Sequence, residues 1–303
     1  MPTARINDRA LVAVAGAEAE RFLQNIVTCD LDVLGQGEAK PGALLAPQGK
    51  ILFDFLVSRS GADSFRLDCR GDIADEFVRR LMLYRLRARV EIIRQDQSVM
   101  AVSWETCSAG SQIDSTASSP DPAASQADST RARDLRFGAG MHVSRHYGKV
   151  LPVADSTPEA WHRLRIEHGI AESGSDYELG DAFPHDVLLD EMGGVGFRKG
   201  CYVGQEVVSR MQHRGTARRR VVIAQAESGL PASGTAITVQ DRPVGALGTV
   251  SGGKGLAIVR VDRVKEASDA GTPILAGGLA VRLSIPSWAK LAFPADFTGT
   301  GKG

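Results

Sequence analysis

The apolar residues of this chain fall into short runs separated by turn residues, and three stretches carry a helical period. Residues 10–14 form a continuous apolar run that predicts a strand. Phe22, Leu23 and Ile26 share one face of a helix predicted over 17–26. Strands are predicted at 39–46 and 51–58, joined across the turn Pro47-Gln48-Gly49, and a shorter one at 64–69. Ile73, Phe77, Leu81 and Tyr84 recur at spacings of four, four and three, which predicts a helix over 72–86. Residues 89–93 and 99–104 predict further strands. Pro158–His168 predicts a helix, with Pro158 suited to its first turn and Gly169 to its end. Five β-rich runs follow, at 220–226, 235–240, 244–251, 256–261 and 280–285, each bounded by Gly, Pro or Asp. Short strands spaced by such turns are the signature of a small antiparallel barrel.

Strands and helices do not alternate regularly in the first part, so the pattern favours α+β over a doubly wound parallel sheet. The expected organisation is an α+β domain over 1–215, a C-terminal β-barrel domain over 216–288, and a tail over 289–303. Residues 108–130 interrupt the pattern: they are mostly Ser, Ala, Asp, Gln, Thr and Pro, with Ile113 the one aliphatic residue larger than alanine. A segment so poor in apolar surface does not offset the entropy of ordering it. It reads as a flexible insertion, about 108–133 at its widest.

Composition narrows the function classes. The 303 residues carry 36 Lys plus Arg and 36 Asp plus Glu, a formal net charge of zero. Stable nucleic-acid binding, which draws its affinity from excess positive charge, is not expected. No apolar run approaches the ~18 residues of a membrane span. Residues 10–16 imitate a signal-peptide core but run straight into a charged helical pattern, so they read as the first strand. Cys29, Cys69, Cys107 and Cys201 include no C-x-x-C pair, and no metal site is expected. Scattered thiols suit a reducing compartment, and the expected location is the cytoplasm.

Chemistry concentrates in residues 193–220, GGVGFRKGCYVGQEVVSRMQHRGTARRR. Lys199-Gly200-Cys201-Tyr202-Val203-Gly204-Gln205-Glu206 packs a cation, a thiol, an aromatic ring, an amide and a carboxylate into eight residues. Gly200 and Gly204 permit sharp backbone turns, and cations beside a thiol favour its thiolate form. A lone cysteine is otherwise most simply an inert buried thiol. Two phosphate-loop lookalikes, 42–50 and 194–196, lack the required glycine spacing or the Ser/Thr. A second basic stretch, 79–94, holds six arginines, most of them expected to decorate a helix face and the next strand.

The motif KGCYVGQE resembles the signature of the folate-binding YgfZ family, the CAF17-like iron–sulfur cluster assembly or insertion proteins. These are relatives of the aminomethyltransferase (T-protein) of the glycine cleavage system. The helix RLRIEHG at 163–169, Pro184-His185-Asp186, Gly193 to Phe197, FLQNIVTCD at 22–30 and Gln48 to Ile51 resemble further stretches of that family. The resemblance covers about 260 residues. It implies an aminomethyltransferase-like folate-binding domain of ferredoxin-like α/β halves ahead of the barrel. True aminomethyltransferases carry an Asp-Asp pair where this chain has Phe53-Asp54, and Asp-Phe where it has Cys201-Tyr202. Both departures point to the YgfZ-type branch.

By that resemblance the chain is expected to bind tetrahydrofolate or a derivative, with or without polyglutamate, and to serve iron–sulfur client or assembly proteins as transient partners. Cys201 is the expected functional thiol. Glu167, with Glu206 second, would accept the paired hydrogen bonds of a pterin edge, unless it forms a surface ion pair. Tyr202 would wall the flat ring. Arg198, Lys199, Arg210 and Arg214 would meet the glutamate carboxylates; Arg218 to Arg220 would join them or start a solvated strand. The alternative is a folate-dependent one-carbon transferase acting on a small amine or modified nucleoside, with Asp54 as the surviving acid. A folate sensor without chemistry is a third reading. Whether any reaction is turned over stays open on the sequence.

Overall fold

The computed structural model describes residues 1–95, 99–107, 129–138, 140–290 and 296–298. In chain order the elements are β1 (Thr3–Arg5), β2 (Arg9–Ala15), α1 (Ala19–Gln24), β3 (Glu38–Leu45), β4 (Ile51–Gly61), β5 (Ser64–Arg70), α2 (Ala74–Arg85) and β6 (Glu91–Gln95). There follow β7 (Val99–Thr106), β8 (Ser129–Asp134), β9 (Met141–Gly148), α3 (Pro158–His168) and α4 (Gln205–Arg214). The C-terminal part holds β10 (Arg219–Gln225), β11 (Ala236–Val239), β12 (Arg242–Ser251), β13 (Lys254–Arg260), α5 (Val261–Asp269), β14 (Ile274–Ala276), β15 (Leu279–Ala280), β16 (Arg282–Ser284) and β17 (Asp296–Thr298).

By internal contacts the chain forms two compact units. Unit 1 comprises Met1–Leu23, Leu31–Pro41 and Phe55–Pro158; unit 2 comprises Gln24–Asp30, Gly42–Asp54 and Glu159–Gly303. The boundary expected at 215/216 lies inside unit 2. One apolar cluster continues across it, joining Ile166, Tyr202 and Val208 with Val221, Leu256 and Ile258.

Nine strands share one sheet, in the order β1-β7-β9-β8-β3-β4-β5-β2-β6. In unit 1, α2 buries Ala74, Phe77 and Leu81, the face its spacing predicted, and Phe77 stacks on Phe55 with ring centroids 5.4 Å apart. Asp75 and Glu76 in its first turn and Arg85 in its last complement the helix dipole. Residues 108–128 of the expected insertion lie outside the described residues. Its C-terminal end is corrected: Ser129–Asp134 is a strand, antiparallel to β9 over Ser129↔Gly148 to Arg133↔Ser144 and parallel to β3 at Glu38↔Arg133. The period of two in Ala132 and Asp134, both buried, is the reason. The tail expectation is corrected likewise, because Asp296–Thr298 pairs with β16.

Unit 1 also buries charge. Asp68 on β5 accepts hydrogen bonds from Arg9 Nε (2.7 Å) and the Tyr147 hydroxyl (3.2 Å). Asp134 on β8 accepts from Arg136 Nη2 (2.8 Å) and Arg145 Nε (3.1 Å). Arg145, itself buried, also faces Asp68 at 3.5 Å and so bridges the two carboxylates. Burial pushes the Asp134 carboxyl up, but the guanidiniums of Arg136 and Arg145 outweigh it and hold it below the usual carboxylate range. Burial, with Asp68 second, pushes the Tyr147 phenol well above its ordinary value.

In unit 2 the C-terminal sheet runs β15-β14-β11-β12-β13-β10-β16-β17. Its neighbours pair antiparallel, and Val222, Ala224, Ile237, Leu247, Val259 and Leu283 fill its core. The strand expected to reach Val261 ends at Arg260. Val261, Val264 and Ala267 then turn into α5 and pack on that same core. The architecture is the expected one of an α+β part followed by an antiparallel barrel.

The Asp134 network carries a prediction. A carboxylate depressed by folding stabilises the native state above its unfolded pKa, about 3.9, and that stability is lost as pH falls through the folded value. Asp134→Asn is expected to cost about 3–5 kcal/mol at pH 7, the scale of breaking a buried pair. It should also flatten the loss of stability below about pH 4. Urea unfolding of both proteins at neutral and acid pH is the check; equal pH dependence would contradict it.

Candidate functional site

The segment Gly194 to Gly204 is pinned to the stretch Val27–Cys29, all of it within unit 2. Thr28 ties the segment to the stretch and the stretch to Ala43 of β3. Its Oγ1 donates to the Gly194 carbonyl (2.7 Å) and accepts from the Ala43 amide (2.9 Å), and its own carbonyl accepts from the Gly196 amide (2.8 Å). Lys199 adds the strongest tie. Its Nζ donates to the carbonyls of Val27 (2.8 Å) and Cys29 (2.7 Å) and lies 5.3 Å from the centre of the Tyr202 ring. The aliphatic stem of Lys199 crosses Gly196, where a Cβ would stand 2.7 Å from it.

Tyr202 points inward. Only 7% of it is exposed, its ring belongs to the apolar cluster of Leu45, Ile51 and Val208, and burial pushes its phenol up to about 12, with Cys29 a second cause. The chain then turns at Gly204, the residue capping α4, with φ +80°. A side chain there would meet the Ala46 carbonyl at 2.6 Å, so the position demands glycine twice over, for its backbone angle and for its space. Gly200 has no positive φ and nothing near it, so the expectation that it makes a sharp turn is corrected.

Between the inward Lys199 and the inward Tyr202, Cys201 is exposed. Cys29 and Cys69 are fully buried and Cys107 is partly so. The cation expected to serve the thiol or a ligand, Lys199, is therefore committed to backbone carbonyls. Arg198 is exposed. Glu206 and Arg210 pair with each other at 2.7 Å, one turn apart on the outer face of α4, and the Glu206 side chain is 88% exposed.

The other expected residues lie elsewhere in unit 2. Glu167, on α3, faces Lys254 Nζ at 4.0 Å in a groove of about 380 Å³ that Arg163, Gln225, Glu227 and Ser251 also line. Asp54 accepts a hydrogen bond from the Ser173 hydroxyl at 2.5 Å and another from Tyr177, whose phenol burial and then Asp54 push well above its ordinary value. Beside it, buried Arg165 pairs with Glu172 (3.2 Å) and Asp176 (2.9 Å). Sequence reasoning missed Thr28, Arg165 and Asp176. Only Thr28 and Arg165 stood inside stretches already singled out.

A folate would need these groups to converge. Lys199 is spent on carbonyls, Tyr202 is in the core, Glu206 and Arg210 satisfy each other, and Glu167 lies with Lys254. Of the six residues expected to hold folate, these five are engaged with other groups of the protein, and Arg198 is exposed. Among the described residues no three His, Cys, Asp or Glu side chains group to hold a metal ion, and no helix is long and apolar enough to cross a membrane.

Comparison with solved structures places the fold among the aminomethyltransferases. The glycine cleavage system aminomethyltransferase T from Bartonella henselae superposes with a TM-score of 0.69 at 18% identity, over 94% of this chain and 85% of that one. Residues 218–291 match the family model for the CAF17 C-terminal β-barrel domain. The mouse protein named iron–sulfur cluster assembly factor IBA57, mitochondrial, is 29% identical over 286 residues, covering 86% of this chain and 78% of the mouse protein. Its human counterpart is 28% identical over 313 residues, covering 94% and 84%. A Chaetomium globosum homologue is 30% identical over 243 residues, covering 72% and 55%. Together these matches make the chain similar to the CAF17/YgfZ-like iron–sulfur assembly proteins, with the CAF17 C-terminal barrel over residues 218–291.

These relatives are named as mitochondrial, which overturns the cytoplasmic expectation. Scattered free thiols indicate a reducing compartment without saying which one.

Three outcomes follow from the anchored loop. Gly204→Ala should lower stability by at least about 1–3 kcal/mol, the range for a residue forced into a rare backbone angle; a urea midpoint equal to wild type would contradict the packing. Under native conditions Cys201 should alkylate first and Cys29 and Cys69 only on unfolding, read by mass spectrometry. Cys201→Ala should shift stability by less than about 0.5 kcal/mol, as at other exposed sites.

Proposed function

We propose that this protein is an iron–sulfur cluster assembly factor that acts through Cys201. The observation that carries the reading is the alternation in the loop: Lys199 and Tyr202 bind inward, and the thiol between them is held out to solvent. The names of the mouse and human relatives support the process. A single thiolate supplies one ligand, whereas clusters take four protein ligands as a rule. The cluster is therefore cargo, and the remaining ligands come from a transient client or assembly partner. On ligation the Cys201 sulfur gives up its proton and donates an electron pair to iron; no redox change at sulfur is needed.

No step of this reading passes through folate. The aminomethyltransferase fold supports folate as a ligand in general terms, and Glu167 is the one expected pterin contact that lines an open groove. The transferase alternative would use Asp54, whose carboxylate Ser173 and Tyr177 already occupy.

The test is complementation of a deletion strain, assayed through its iron–sulfur enzymes. Cys201→Ala should fold and fail to restore them, and Cys201→Ser should fail as well. Glu167→Ala should restore them like wild type. Full rescue by Cys201→Ala at native expression would overturn the thiol's role. Failure of Glu167→Ala, with folate protecting the wild type against heat and not the variant, would put folate binding back at the centre.

A further inference from the structure

The six arginines of residues 79–94 have no part in the Cys201 site, and the structure gives several of them a setting. Leu86 ends α2 at φ 47°, ψ −107°, a backbone angle that a bulky side chain rarely adopts, and it is 84% exposed. Leu83, 69% exposed, and Met82, 40% exposed, lie on the same last turn. Directly after them residues 85–91, with Ala15 and Gly16, line a groove of about 560 Å³. All of this belongs to unit 1. An exposed leucine at a strained angle beside a cavity is not accounted for by packing, since it buries almost nothing.

The rim of this apolar turn is cationic. Arg79 and Arg87 are exposed, Arg85 is partly so, and among the described residues none of the three makes an ion pair. Arg89 and Arg94 are paired, with Glu18 at 3.2 Å and Asp75 at 2.9 Å. Of the nearby acids, Glu18 and Asp75 are taken up by Arg89 and Arg94, which leaves Glu91 in the groove lining and Glu76 in the first turn of α2. Apolar residues at the centre of a patch with unpaired arginines around them follow the anatomy of a protein interface, in which arginine is enriched. The groove favours a protruding partner over the flat surface of a membrane.

We propose that the α2–β6 corner is a docking surface for an acidic protein. The partner would place an apolar residue against Leu83 and Leu86 and set Asp or Glu side chains against Arg79, Arg85 and Arg87. Charge complementarity of this kind sets encounter rate and specificity and weakens with salt. The inference is independent of the Cys201 reading, because no residue of that loop takes part.

The full-length chain with p-benzoylphenylalanine at position 86 is photo-crosslinked in cells, and the crosslinked peptide is mapped by mass spectrometry. The peptide is expected to come from another protein and to carry Asp or Glu around an apolar residue. Binding of that purified protein should weaken about tenfold in Arg87→Glu and again between about 50 and 300 mM salt. Reversing the facing acid to Lys should restore binding to the Arg87→Glu variant, whose folding is checked by its unfolding midpoint. Crosslinks only to lipid or to a second copy of this chain, or no crosslink at all, would overturn the proposal. So would binding indifferent to Arg87→Glu and to salt.

Discussion

One ammonium group organises the candidate site. Lys199 spends its charge on two backbone carbonyls, those of Val27 and Cys29, while its stem lies across Gly196. Hydrogen bonds to a charged donor are worth about 1.5–3 kcal/mol each, more than neutral ones. With Thr28 bonded to Gly194, Gly196 and Ala43, they lash the loop before α4 to the strand-like stretch ahead of β3. Without the Lys199 tie the loop keeps only the Thr28 bonds on one side of Cys201 and the buried Tyr202 ring on the other.

The motif thus divides its labour by direction. Lys199 and Tyr202 are anchors, Gly196 and Gly204 make room for close approach, and Cys201 is the group left outside. Glu206 and Arg210, which look like ligand contacts when read along the chain, form an exposed i,i+4 pair of the kind worth about 0.3–0.5 kcal/mol. Where the resemblance led to the expectation of a folate site, the motif presents an exposed thiol. Elsewhere unit 1 keeps its charge inside, with Arg145 bridging Asp68 and Asp134, and unit 2 does the same with Arg165.

Much of the fold was legible in the sequence because strands and helices advertise themselves through periodicity. The α2 face, the β3–β4 turn and the barrel strands β10 to β13 appear where apolar spacing put them, whereas the run at 280–285 divides between β15 and β16, and β14 and β17 lie outside every predicted run. β8 was hidden because Arg131 and Arg133 made a charged segment next to a polar one, and only Ala132 and Asp134 face inward. α4 shows no apolar period, because Val208 alone of its residues is buried. α5 has three buried apolar positions in nine residues, too few to stand out beside a strand. In the site, Cys201 could be singled out by residue type, but the directions of Lys199 and Tyr202 could not. Neighbours in sequence share a location, and only the fold says which of them face in.

The clamp is tested most directly by amide hydrogen exchange over residues 194–205 in wild type and Lys199→Met, which keeps the stem and removes the charge. Protection in this segment should fall in the variant while the barrel strands β10, β12 and β13 keep theirs, and Cys201 should alkylate at a changed rate. Unchanged exchange across 194–205, with Cys201 equally reactive, would contradict the claim that the Lys199 ammonium holds the thiol in place.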